Sequence, residues 1–197
     1  MRLRDLFPLA RDTVADPGAG LRRLSTLGLE RRELWLALAA VTATGVAITD
    51  VMLRLIARQG LEPMFSIGFP PLFTAAAEFV LLSILIFVIH RVGRMMGGTG
   101  SLEDTILAMV WLQFIMACLQ ALQLVAMLTL PFLAGVLGMA GAVLFFWLLT
   151  GFIAELHHFR SRGKVFVGIV IALLALATLL VFLLTLLGVT LPEMSDV

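Results

Sequence analysis

The stretch FLAGVLGMAGAVLFFWLLTGFIA, residues 132–154, contains no charged side chain. A hydrocarbon core of about 30 Å is crossed by about 20 helical residues at about 1.5 Å each, so this run spans a bilayer by itself. Comparable runs lie on either side of it. Reading outward, the expected helices cover about 34–56, 72–92, 105–128, 132–155 and 165–188. The chain has 197 residues, 61% hydrophobic and 14% charged, whereas soluble domains carry about a quarter charged residues. The expected fold is therefore all-α: a polytopic membrane protein, a five-transmembrane-helix bundle over 34–188. A basic, amphipathic segment (1–33) precedes it and a short tail (189–197) follows.

The single cysteine, Cys118, sits in an apolar run, which excludes an internal disulfide and a Cys-rich metal site. Arg2 and Arg4 are followed by Asp5, Pro8, Arg11 and Asp12 rather than by an apolar core, so no cleavable signal peptide is expected. Leu3, Leu6, Phe7, Leu9, Ala10 and Val14 make an apolar stripe that Asp16-Pro17-Gly18 interrupts as a turn. Leu21, Leu24, Leu27 and Leu29 then stand among Arg22, Arg23, Arg31 and Arg32. These pieces read as interfacial helices on an anionic leaflet, or as a plain basic flank that fixes topology.

Ionisable and amide side chains inside the spans are the candidate functional groups, because exposing them to lipid costs several kcal/mol. Asp50 is followed four residues on by Arg54, on one helical face. Glu78 has no basic residue within four positions and calls for a partner from another span, such as Gln113, Gln120 or Gln123. Reckoned along their helices, Asp50 and Glu78 fall at similar depth in the outer half, where two carboxylates share a proton, bind a cation or form a closed polar knot. Phe65 and Phe69, in the loop 60–71, are expected interfacial anchors.

Ser101 is a helix N-cap, with Asp104 at the third position and Glu103 beside it. The glycines of Gly97-Gly98-Thr99-Gly100-Ser101 permit a tight turn. They lack the Gly-Lys-Ser/Thr ending of a phosphate loop. Gly135, Gly138 and Gly141 give the fourth span a small-residue face for close packing, on a neighbouring span or on a second copy. His90, Glu155, His157 and His158 form a second cluster at the cytoplasmic interface. Glu155-x-x-His158 occurs once, where carboxylate metal sites in bundles use the motif twice, so neither metal nor cofactor is expected.

Charge sets the orientation. Seven Lys and Arg precede the first span, Arg91 and Arg94 follow the second, and Arg160, Arg162 and Lys164 follow the fourth; only Arg54 and Arg58 lie on the other side. The positive-inside rule then puts the N-terminus in the cytoplasm and, with five spans, the C-terminus in the periplasm.

The residues now carry a likeness. Asp16-Pro17 in a basic N-terminal segment, Gly97 to Ser101 with the following Glu103-Asp104-Thr105, and the basic turn after the fourth span resemble a prokaryotic member of the Yip domain family. The likeness covers roughly 16–186. It implies five spans, a cytosolic N-terminus and no catalysis, and for eukaryotic members a role in trafficking with Rab-type GTPases. The 33 residues ahead of the first span are too few for a GTPase-binding domain. The expected function is a non-catalytic membrane scaffold or adaptor in a bacterial inner membrane. Its expected partners are anionic lipid headgroups and other membrane proteins or copies of itself, and not nucleic acid. A small transporter or channel using Asp50 and Glu78, and a lipid-acting enzyme using the His/Glu cluster, are the alternatives.

Overall fold

The computed structural model of the chain describes residues 3–58 and 69–186, with side chains from residue 6 onward except at 176, 177, 179, 180, 183, 184 and 186. The expected tail and most of the loop 60–71, Phe65 included, lie outside the described residues. Among those described, the chain forms α1 (Leu3–Ala15), α2 (Pro17–Ser25), α3 (Arg31–Arg58), α4 (Pro71–Met95), α5 (Leu102–Thr129), α6 (Pro131–Leu156) and α7 (Arg162–Leu186).

Local chemistry sets the ends of these helices. Asp16 caps α2, its Oδ1 accepting from the amides of Gly18 at 3.1 Å and Ala19 at 3.2 Å. Pro17 follows at the first helical position, where a missing N–H costs nothing. Ser101 caps α5, its Oγ accepting from the Asp104 amide at 3.0 Å. α4 stops in a Schellman motif: Gly97 is left-handed at φ 87°, Gly98 N–H donates to Gly93 C=O at 2.9 Å, and Gly97 N–H to Arg94 C=O at 3.0 Å. α6 stops the same way without glycine. His158 takes the left-handed position at φ 54°, and the amides of Phe159 and His158 donate to Ala154 and Glu155 at 2.9 and 3.2 Å.

The chain divides into two compact units, Met1–Arg160 and Ser161–Val197. In the first, four helices are long and apolar enough, among the described residues, to cross a membrane: α3, α4, α5 and α6. The expected five-span bundle is corrected to four. The fifth apolar run does form a helix, α7, but it belongs to the second unit. Within that unit Ser161 Oγ accepts from the Lys164 amide at 3.3 Å, and Thr178 and Thr185 return their hydroxyls to the carbonyls of Leu174 and Val181.

The four-span unit is built around α5. α3 and α6 pack chiefly against it, α4 lies against α3 and α5, and α1 and α2 pack on each other and on α6. The most apolar stretch of α5 is 56% buried, against 6% for that of α4. Arg31 ties the start of α3 to Glu103 at the start of α5, so these helices run parallel, with α4 and α6 antiparallel to them. One end of the bundle therefore gathers α1, α2, the α4–α5 turn and the end of α6.

Candidate functional site

The basic end is where distant parts of the sequence meet. α1 and α2 form an arm folded onto the bundle, with Leu9, Leu21 and Leu24 buried. Trp111 of α5 donates its indole N–H to Thr13 Oγ1 at 3.0 Å, and that hydroxyl donates to the Leu9 carbonyl at 2.7 Å. Trp147 of α6 donates to the Val14 carbonyl at 3.0 Å. Both indoles thus find their acceptors on the arm, and for Trp111, which is buried, this is the pairing that a low-dielectric site demands.

Small residues allow the close approach. A Cβ on Gly151 would come within 2.5 Å of Pro17, and one on Gly18 within 2.6 Å of the Glu155 carboxylate. Gly20 gives room to Thr13 in the same way. The approach places Arg22 Nη1 2.6 Å from Glu155 Oε1. Asp16-Pro17 is thus a docking device: the aspartate starts α2, and the proline lies in a notch on α6. The expected membrane-resting arm instead buries one apolar face on protein, while Phe7 stays 65% exposed on another.

Beside the arm sits a socket for His157, which is 2% exposed. Its Nδ1 faces the Ile153 carbonyl at 3.2 Å, which makes Nδ1 the protonated nitrogen, and its ring stacks on Phe159. Nε2 has no hydrogen-bond partner among the described residues. Side chains on Gly93 or Gly98 would overlap the imidazole, and one on Gly100 would stand 2.7 Å from the Leu156 carbonyl. The loop glycines therefore divide their work. Gly97 makes the turn, Gly98 and Gly100 admit the end of α6, and Ser101 caps α5. Burial holds the imidazole below the ordinary histidine value, opposed by its bond to Ile153 and reinforced by His90 and His158. His157 is neutral here.

The four members of the expected His/Glu cluster have separate roles. Glu155 pairs with Arg22, His157 fills the socket and His158 turns the chain. His90 is half-buried, with an Nδ1 that lacks a partner among the described residues. Among those residues no three His, Cys, Asp or Glu side chains are gathered for a metal ion.

Deeper in the bundle, Glu78 accepts a hydrogen bond from Gln113 Nε2 at 3.2 Å. Gln113 stands eleven residues beyond Leu102 in α5, about 17 Å along that helix. Asp50 is nineteen residues into α3, about 28 Å along, and pairs with Arg54 at 2.7 Å. Each of the two carboxylates has its own partner. Gln123 donates to the Ala134 carbonyl at 3.1 Å, where Gly138 leaves it room, and Gln120 Oε1 lies near Gly45 without a hydrogen-bond partner among the described residues. Gly141 packs on Leu119, while Gly135 faces open space.

Sequence reading had no account of Thr13, Gly20, Gly93, Trp111, Trp147 or Gly151, and took Gly18 for part of a turn where it lies in the first turn of α2. The available signals were weak: two indole donors in apolar runs, and glycines at the two helix ends that needed a neighbour.

Neither the curated proteins nor the solved structures offer a match to the chain. The residues that carried the family likeness, Asp16-Pro17 and the glycine turn, are the ones that meet around the end of α6. With the Yip1 domain matching residues 11–184, the chain belongs to that family of membrane-associated, generally non-catalytic proteins.

Proposed function

We propose that the protein is a scaffold or adaptor of a bacterial inner membrane, with its basic end in the cytoplasm. There the folded arm is the platform for other membrane proteins, and basic side chains rest on anionic headgroups. The observation that carries the reading is the arm itself. Two indole bonds, an ion pair and a proline notch hold α1 and α2 in a fixed place on the bundle, which a topogenic flank does not require. The gathering of 12 of the 14 basic residues on that side of the spans supports the cytoplasmic assignment. The transporter alternative loses its motive, since Asp50 and Glu78 are separately paired.

The test is photo-crosslinking in native membranes from a probe at Phe7, followed by mass spectrometry, in wild type and in Gly151→Val, whose side chain fills the notch that Pro17 occupies. Repeated capture of one partner by wild type, weakened by the variant, establishes the adaptor. Capture of abundant neighbours alone, unchanged by the variant, ends the reading.

A further inference from the structure

The end of α4 holds cations that the protein does not neutralise. Around the basic end most of the described carboxylates are engaged: Glu155 with Arg22, Glu103 with Arg31, Asp12 with Arg23, Asp16 with the amides of Gly18 and Ala19, and Asp104 with the Ser101 hydroxyl. Arg91 and Arg94, three apart and both exposed, have no ion-pair partner among the described residues. With His90 and Met95 they line an open hollow of about 360 Å³. Below it runs an exposed apolar track at helical spacing, Leu81, Ile84 and Val88, while Met95 at the rim is 86% exposed. The negative end of a helix dipole ordinarily repels an anion. Here the Schellman bonds occupy the carbonyls of Gly93 and Arg94, and the guanidiniums dominate.

We propose that this site holds the phosphate of an anionic phospholipid, with Arg91 and Arg94 on the phosphate oxygens and an acyl chain along Val88, Ile84 and Leu81. Guanidinium suits a phosphate because its planar fork donates two charge-assisted hydrogen bonds at once. The apolar track distinguishes a lipid from a free phosphate, since only a lipid has tails for it. The site rests on the scaffold reading solely for its position at headgroup level, so it is tested in detergent, where neither partner nor sidedness matters.

The experiment is native mass spectrometry of the purified full chain with phosphatidylglycerol, with diacylglycerol of the same tails, and with inorganic phosphate. Wild type is expected to retain phosphatidylglycerol over both. Arg91→Gln/Arg94→Gln is expected to lose it roughly thirtyfold, about fivefold for each basic side chain, with Arg91→Lys/Arg94→Lys intermediate and Arg58→Gln unchanged. Equal retention of diacylglycerol, binding of inorganic phosphate as tight as that of the lipid, or an unaffected glutamine variant overturns the assignment. So does a glutamine variant that changes the oligomeric state but not lipid retention, for then the face belongs to a second copy. The lysine variant keeps the charge and the fold, so a misfolded glutamine variant does not rescue the idea.

Discussion

The two ends of the four-span unit are made of similar residues and put together differently. At the basic end α5 is buried without a break from Thr105 to Leu112, and glycines are filled by a neighbour's ring or carboxylate. At the other end only Ala126 and Met127 of α5 are buried, packed with Ala134. There Gly135 opens onto nothing, and the ion pair Asp50–Arg54 stays within one helix. The lesson is that apolarity in a membrane chain does not distinguish a core from a lipid face. Contact with another helix is marked by the small residues and single polar donors that must be satisfied.

The same substitution at both ends gives the sharpest test. Gly93→Ala drives a methyl into the His157 ring and is expected to cost about 2–3 kcal/mol, seen as a lower melting temperature in detergent. Gly135→Ala meets open space in a helix interior and is expected to be neutral or stabilising by about 0.5 kcal/mol. Equal effects would dissolve the contrast. Thr13→Val comes next. It leaves the buried Trp111 N–H unpaired, for an expected loss of about 1–3 kcal/mol, with faster proteolysis between the arm and α3 while the spans stay protected.

The basic end is also expected to be sensitive to acid. His157 titrates below the ordinary histidine value when folded, so the unfolded chain takes up the proton first. Stability is then complete above about pH 6.5 and falls as pH drops through that value toward the lower folded one. Thermal melts from pH 8 to 5 should show this slope in wild type and lose most of it in His157→Asn. A smaller gain is expected from His158→Gly, which relieves a left-handed non-glycine residue by about 1 kcal/mol. Smallest is Glu155→Gln. Its ion pair with an exposed arginine is expected to move the melting temperature least of all, an effect that fades in high salt.

Much of this was legible in the sequence. The capping by Ser101, the Asp50–Arg54 pair and a glutamine partner for Glu78, open among Gln113, Gln120 and Gln123, follow from spacing and from the cost of unpaired polar groups in lipid. The four spans follow from length and apolarity, and the same arithmetic extended to residues 165–188 gave one span too many. The arm's docking was not legible. An amphipathic segment buries its stripe equally well on lipid or on protein, and hydropathy does not choose between them. The His157 socket depends on Gly93 and Gly98 lying opposite a residue some sixty positions away, and nothing periodic records that.

The bond between Trp147 and Val14 joins residues 133 apart. Ribosomes add roughly 5–20 residues per second, so about 7–27 s separate the synthesis of its two partners. Through that interval Leu9, Leu21 and Leu24 have no α6 to lie on, and the bilayer surface is the apolar refuge within reach. The arm's place on the bundle is therefore set only after the last helix of the four-span unit has been made.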